Sequence, residues 1–342
     1  MKAVAIEGYG FDNVMVTDVA DPHPGPGEVT VRVGAAALNR LDLWTLSGAL
    51  KIEHHFPHVL GGDAAGEIAE IGEGVRGLQP GLRVIVNPAL SCGACEFCRA
   101  GEQSLCTTFR MLGEHVTGTF AEAVTVPAAN VFPVPDHLSV PEAAALGVTF
   151  ITAYRMLFAR GRVRPGEWVL ITGIGGGLAQ SLLQLVRPIA GRVLVTSSSD
   201  DKIRRAIEAG ADAGVNYVDE DVGRAVRGLT AKRGVDAVFD SAGGPALDTA
   251  MRALRKGGRL VVAGATAGAR GEIDVRRLFW NQLELIGSTM GSHAEVSDMI
   301  RTVTGMRLKP MIDRTLPLTE ARAALERLES GDHFGKIVLE VA

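Results

Sequence analysis

The stretch Trp168–Ser199, WVLITGIGGGLAQSLLQLVRPIAGRVLVTSSS, sets the tightest limit on what this chain can become. Val169 to Thr172 read as a short buried strand and Gly173 to Gly177 as a tight turn; Leu178, Leu182, Leu185, Val186 and Ile189 form the inner stripe of a helix. A second β-branched strand, Val193 to Thr196, closes a βαβ crossover. At its turn, free backbone N–H groups and the positive end of the helix dipole are placed to meet a pyrophosphate. The residues expected at a dinucleotide there are Gly173, Gly175, Gly176, Gly177, Leu178 and Ala179. Pro188 is tolerable because it is expected in the last turn of the helix, where it removes one backbone bond.

At 342 residues and 46% hydrophobic content the chain can fill two cores. A net charge of -4 argues against nucleic acid or an anionic membrane as partner, since phosphate affinity needs clustered Lys and Arg. The start, MKAVAIEGYG, does not read as a signal peptide, and the longest apolar run, Ala143 to Ile151, is too short to span a bilayer. A cytoplasmic protein is expected.

The first hundred residues read as short strands, Lys2 to Glu7, Val29 to Ala37, Glu67 to Ile71 and Arg83 to Asn87, punctuated by Gly and Pro. From about residue 150 strands alternate with helices. After the opening unit come Ile203 to Ala209, Val215 to Tyr217, Asp221 to Leu229, Ala237 to Asp240, Leu247 to Leu254, Leu260 to Ala263 and Leu285 to Ser288. Six strands with helices between them imply an α/β fold, a Rossmann doubly wound parallel sheet. A final helix, Leu318 to Glu329, and strand, Lys336 to Val341, are expected to return to the β-rich part.

All four cysteines fall within fifteen residues, as Cys92-x2-Cys95-x2-Cys98-x7-Cys106. Such thiolates supply a tetrahedral S4 set for one structural Zn(II), with no coordination position left open for catalysis. Free thiols, disulfides or an iron-sulfur site are the alternatives; a reducing cytosol disfavours disulfides, and the last gap does not match the ferredoxin run.

Together these features resemble the medium-chain dehydrogenase/reductase family over nearly the whole chain. Gly173, Gly176 and Ala179 resemble the turn of its quinone oxidoreductases. Further matches are Gly61-Gly62-Asp63-Ala64-Ala65-Gly66-Glu67, Thr149-Phe150-Ile151-Thr152-Ala153-Tyr154 and the closing Gly335-Lys336-Ile337-Val338-Leu339. The resemblance implies a β-rich GroES-like catalytic domain over 1–149 and 292–342, with a zinc lobe at about 88–112, and a Rossmann domain over 150–291. It also implies cofactor contacts at Thr152, Gly264 and Lys336.

The departures from the zinc alcohol dehydrogenases of that family are informative. Their catalytic zinc ligands fall here on Asn39, Gly62 and Val148, none a good zinc ligand, and the proton-relay hydroxyl is replaced by Leu41. This is similar to the zinc-free quinone and enone reductases. Hydride removal from an alcohol is eased by a metal that holds the alkoxide. Without one, the easier task is hydride delivery to a quinone or an activated C=C, an enone or enoyl acceptor, whose developing oxyanion is held by hydrogen-bond donors while water supplies the proton. The candidates are Asn39, Asp42, Thr149 and Tyr154. Asn39 could equally satisfy backbone groups at a strand end, Thr152 could cap a helix, and Asp42 and Asp63 could form structural pairs. His54, His55 and His58, with Asp63 or His115, leave open a zinc-dependent alcohol dehydrogenase with unorthodox ligands. A non-catalytic NADPH-binding protein is the reading from another class.

An NAD site ends its second strand with an acid for the ribose hydroxyls. Here Thr196 runs into Ser197, Ser198 and Ser199, with Asp200 and Asp201 placed to start the next helix. The serine hydroxyls and Lys202 suit a 2′-phosphate, and Lys202 and Tyr217 match phosphate-binding positions of NADPH-using relatives, although such serines also occur on ordinary surfaces. NADP(H) is therefore the expected cofactor. A homodimer or homotetramer is expected through the edge strand Leu285 to Ser288.

Overall fold

The computed structural model describes residues 1–50 and 52–341. It divides into two compact units, Met1–Ile151 with Met290–Ala342, and Thr152–Thr289.

The second unit is built on a six-stranded, all-parallel sheet. Its strands lie in the order Ala213–Asn216, Arg192–Ser197, Trp168–Ile171, Val235–Asp240, Leu254–Val262 and Glu284–Gly287. Val169 faces Val193 on one side and Ala237 on the other. The central strands Trp168–Ile171 and Arg192–Ser197 carry runs of Val, Leu and Ile because helices cover both faces of a parallel sheet. Leu170, Leu194, Val226, Val238, Met251 and Leu260 form a shared core. Sequence order reverses between Trp168–Ile171 and Val235–Asp240, which makes the carboxyl ends of those strands the topological switch point where such sheets bind ligands.

The helix Gly177–Val186 buries Leu182, Leu183, Leu185 and Val186 and ends with Arg187 as its C-cap. Pro188 thus lies beyond the helix rather than in its last turn. The helix Asp200–Glu208 starts from Ser199, whose hydroxyl accepts the Lys202 N–H.

In the first unit a seven-stranded sheet is centred on Glu28–Ala37, which pairs antiparallel with Asp63–Ile71, Ala123–Pro127 and Lys336–Glu340. The strand Asp63–Ile71 begins four residues earlier than the expected Glu67. Its first half is Asp-Ala-Ala-Gly, with no alternation to read; Ala64 and Ala65 pair with Ala36 and Ala35 where only small side chains let the layers approach. A smaller sheet orders Val14–Asp18, Lys2–Ile6 and His58–Val59. The terminal strand joins Val338 to Ala37, and the final helix divides into a 3-10 turn Leu318–Glu320 and an α-helix Ala321–Ser330. No helix among the described residues is long and apolar enough to cross a membrane.

Candidate active site

Asn39 stands where the strand Glu28–Ala37 gives way to the helix Arg40–Ser47, and it is that helix's N-cap. Asp42, in the first turn, reaches back to accept the Asn39 backbone N–H at 2.7 Å, and the Gly61 N–H bonds it as well. Burial pushes the Asp42 carboxyl up to about 7, against the opposing pull of those N–H groups and of the Lys336 charge.

The Asn39 side chain is bound on every side. Its Nδ2 donates to Asp63 Oδ2 at 2.9 Å and to the Ala37 carbonyl at 3.3 Å, while its Oδ1 accepts from Lys336 Nζ at 2.6 Å. Both amide hydrogens are engaged within the protein. Asn39 therefore holds a buried network together, with its amide hydrogens directed to Asp63 and Ala37.

Lys336 is engaged in the same network. Its ammonium donates to the Leu38 carbonyl at 2.6 Å, to Asn39 Oδ1 and to Asp63 Oδ2 at 2.9 Å, so all three N–H bonds are used. The side chains of Lys336 and Asp63 are 3% and 0% exposed. No donor remains to bind a cofactor. The other Asp63 oxygen accepts the Val148 N–H at 2.6 Å. Gly147 makes this approach feasible, because a Cβ there would lie 2.0 Å from Asp63 Oδ1.

The three positions that carry zinc ligands in the zinc enzymes do converge. Asn39 and Val148 meet on the two oxygens of Asp63, and a Cβ on Gly62 would lie 3.7 Å from Val148 Cγ2 and 3.6 Å from both the Leu112 carbonyl and Pro88. What they converge on is an Asp–Lys–Asn network. The pair was legible in principle: Asp63 and Lys336 are opposite charges that each open a strand running straight into small or apolar residues, Ala64-Ala65-Gly66 and Ile337-Val338-Leu339, and buried charges are paired.

The histidines make no metal cluster with Asp63. Among the described residues the grouping of three or more metal-ligating side chains is Cys92, Cys95, Cys98 and Cys106. His54 Nε2–H donates to the Glu114 carbonyl at 2.7 Å and His58 Nε2–H to the Gly113 carbonyl at 3.1 Å. Thr149 is buried and donates to the Ala145 carbonyl at 3.4 Å; Thr152 is buried on the same helix, Gly147–Tyr154, and Tyr154 packs on Phe158 at 4.7 Å between ring centroids.

The cysteine lobe is closed at its base by the pairing of Ala89–Leu90 with Arg110–Met111. None of its thiols is disulfide-bonded, and all four sulfurs lie within 4.8 Å of one another, with Cys92 and Cys98 3.9 Å apart. Tetrahedral ligation at the usual Zn–S length of about 2.3 Å puts sulfurs roughly 3.8 Å apart, so the donor set fits one Zn(II). The N–H groups of Cys98 and Thr107 hold the Cys95 thiol down to about 6 and the Cys92 N–H lowers Cys106, while burial pushes Cys98 up to about 11, so two of the thiols are predisposed to the thiolate form and Cys98 would need the metal's own charge to lose its proton.

In the second unit the glycine turn sits at the switch point. Gly173 adopts φ 65°, and its N–H bonds Thr196 Oγ1. Gly176, as N-cap of Gly177–Val186, offers no side chain to satisfy the first N–H groups of the helix, which leaves Gly177, Leu178 and Ala179 suited to an anion. A Cβ on Gly175 would lie 2.9 Å from Lys202 Nζ, so the Lys202 ammonium is folded over the turn. Ser197 is buried and accepts the Ser199 N–H, Ser198 is exposed, and Tyr217 donates its backbone N–H to the Ser197 carbonyl while its ring is half exposed. Gly264 approaches the Ser241 carbonyl so closely that a Cβ would lie 2.5 Å from it.

Residues 25–136 match the alcohol dehydrogenase GroES-like domain and residues 177–305 the zinc-binding dehydrogenase domain. An acryloyl-coenzyme A reductase of Metallosphaera sedula is 30% identical over 99% of each chain. Among solved structures, an NAD-dependent alcohol dehydrogenase is similar at a TM-score of 0.95 with 42% identity over 100% of both chains. Crotonyl-CoA carboxylase/reductase AntE in complex with NADP is similar at 0.93 with 27% identity, over 100% of this chain and 95% of that one. Likeness that runs from end to end and takes in both domains places the chain in the medium-chain dehydrogenase/reductase family, oxidoreductases that act on small molecules.

Proposed function

We propose that the chain is an NADPH-dependent reductase of quinones or activated C=C bonds, enones and enoyl thioesters in particular, that works without a catalytic zinc. The observation that carries the reading is the Asn39–Asp63–Lys336 network at the three ligand positions. An ammonium already held by a carboxylate and two oxygens offers neither a Lewis acid nor a free proton for an alkoxide, so alcohol oxidation lacks its usual assistance. A conjugated acceptor does not need it. NADPH, when bound, supplies the hydride; the Thr149 hydroxyl would have to turn from the Ala145 carbonyl to serve the developing oxyanion, with the Tyr154 hydroxyl the other candidate donor.

The glycine turn and the Gly177–Val186 N-terminus would hold the pyrophosphate, and Ser197, Ser198, Lys202 and Tyr217 the 2′-phosphate, with Thr152 and Gly264 nearer the nicotinamide. The acryloyl- and crotonyl-CoA reductases among the similar proteins favour this reading. The NAD-dependent alcohol dehydrogenase among them keeps alcohol oxidation as the second.

An acceptor screen followed by NADPH absorbance, on protein carrying one zinc per chain, decides between them. Reduction of enones, enoyl thioesters or quinones by that form supports the proposal. Activity only with aldehydes, or only after a second metal is added, refutes it. A cytoplasmic homodimer or homotetramer fits the same reading: Glu284–Gly287 ends the parallel sheet, and Val275, Phe279, Trp280 and Leu285 nearby are 62, 63, 73 and 43% exposed. A monomer by light scattering at micromolar concentration would contradict it.

A further inference from the structure

Thr172 and Asp240 stand side by side at the topological switch point of the second unit. Thr172 follows the strand Trp168–Ile171 and Asp240 ends its neighbour Val235–Asp240, so both lie at the carboxyl ends between which the crevice opens. The Thr172 hydroxyl donates to Asp240 Oδ2 at 2.7 Å, and the Thr172 N–H bonds the Phe239 carbonyl at 3.1 Å. Oδ1 of the same carboxylate accepts the Gly243 N–H at 2.7 Å, and the Ala242 N–H bonds the carboxylate as well. Asp240 is 0% exposed. One buried side chain thus joins the residue before the glycine turn to the loop on the far side of the crevice.

That loop has little else to fix its shape. Ser241-Ala242-Gly243-Gly244 carries no large side chain to pack, and neither does Gly264-Ala265-Thr266-Ala267-Gly268 after the next strand, Leu254–Val262. The two segments are joined backbone to backbone: the Thr266 N–H bonds the Ser241 carbonyl at 3.3 Å, the Ala267 N–H bonds the Ala242 carbonyl at 2.7 Å, and Gly243 forms a parallel bridge with Gly268. A Cβ on Gly243 would lie 3.1 Å from the Gly264 carbonyl oxygen, so only glycine lets them meet. This plate of bare backbone is tied to the sheet at Asp240, whose carboxylate holds Gly243 and whose carbonyl accepts the Ala263 N–H at 2.9 Å. The glycine turn opposite has its own support, because the Gly173 N–H bonds Thr196 Oγ1 and the Ile174 N–H bonds the Thr196 carbonyl at 2.9 Å.

We propose that Asp240 is a positioning residue for the nicotinamide half of the dinucleotide, setting the far wall of the crevice against the glycine turn; the role rests on the NADPH placement given above. In a doubly wound sheet the two halves of a dinucleotide lie on either side of the switch point. The adenosine half belongs over Trp168–Ile171 and Arg192–Ser197, where Ser197 and Lys202 stand, and the nicotinamide half over Val235–Asp240 and Leu254–Val262. Asp240 acts on it through the backbone of Ala242 and Gly243. A carboxylate suits the task because it accepts from both sides of the crevice at once, a hydroxyl on one and N–H groups on the other.

Calorimetric titration of zinc-loaded protein with NADPH and with adenosine 2′,5′-bisphosphate, which carries the adenosine half alone, separates the two walls. Asp240→Ala should weaken NADPH by about tenfold or more and leave the bisphosphate within about threefold. Asp240→Asn should recover most of the loss, because its Oδ1 still accepts the Gly243 N–H and its amide can donate to the Thr172 hydroxyl. Thr172→Val removes only the hydroxyl and should also weaken NADPH alone; added to Asp240→Ala it should cost little more, since both break the same tie. Should Asp240→Ala fail to fold, Thr172→Val decides. Equal loss of both ligands, or retention of NADPH affinity in these variants, overturns the role of Asp240 alone. Wild-type protein that does not bind NADPH overturns the cofactor reading and this role with it.

Discussion

Lys336→Met is the sharpest probe of the buried network. Methionine keeps the length and flexibility of the lysine stem, so little cavity is made, and only the ammonium is removed. Three acceptors then lose their donor: the Leu38 carbonyl, Asn39 Oδ1 and Asp63 Oδ2, all bonded between 2.6 and 2.9 Å in the wild type. Asp63, 0% exposed, keeps the Val148 and Asn39 N–H groups but loses its counter-charge. Breaking one side of such a pair costs about 3–5 kcal/mol. For a unit of roughly two hundred residues, where 1 kcal/mol moves Tm by about 2–4 °C, the expected fall is about 6–20 °C.

The assay is calorimetry on zinc-loaded protein, with the double variant Lys336→Met/Asp63→Asn alongside. The second change removes the stranded charge and keeps an oxygen for the Val148 N–H, so it should recover at least half the loss. NADPH affinity should change by less than about threefold, since the ammonium has no free hydrogen for the cofactor. A single variant within about 2 °C of wild type, or one that folds normally and loses NADPH, would refute this account and return Lys336 to the cofactor site.

Three further outcomes are expected. Elemental analysis should find about one zinc per chain, lost in Cys95→Ser and Cys98→Ser, and full retention in both would refute the four-sulfur site. NADPH should be preferred over NADH by about tenfold, or roughly 1.4 kcal/mol; Ser197→Asp should erase the preference and Lys202→Ala should weaken NADPH while sparing NADH, and equal efficiency in wild type would refute it. The raised Asp42 carboxyl favours the protonated fold, so its contribution is fully present below the ordinary carboxylate range and is lost as pH rises through about 7. Stability of Asp42→Asn relative to wild type should thus grow between pH 4 and pH 8, by up to about 4 kcal/mol, and a flat difference would refute the shift.

The strands Trp168–Ile171 and Arg192–Ser197 were legible because their Val, Leu and Ile runs leave no polar face, and the cysteine lobe was legible because sulfur spacing encodes a ligand set. Other elements hid for identifiable reasons. Asp63–Ile71 opens with small residues that carry no period. The helix Arg40–Ser47 buries Asp42 among its apolar residues, which breaks the stripe a reader looks for. Ser292 with Glu295 three residues later is a legible start for the helix His293–Met306, since the structure forms that capping box. In the site, residue types alone could not say which groups are consumed. Asn39 carries a donor amide in any reading, and only its neighbours Ala37, Asp63 and Lys336 show that both hydrogens are taken.

That distinction carries the chemistry further than the missing metal ligands do. Replacement of three ligands argues only that zinc is not held there, and a donor amide at Asn39 could still have polarised a carbonyl. On the proposed reading, with the amide bonded to Asp63 and Lys336, electrophilic assistance falls to other donors and activation to the acceptor itself. Such an acceptor, once it takes hydride at carbon, becomes a strong base at its α-carbon and needs a nearby acid more than a Lewis acid.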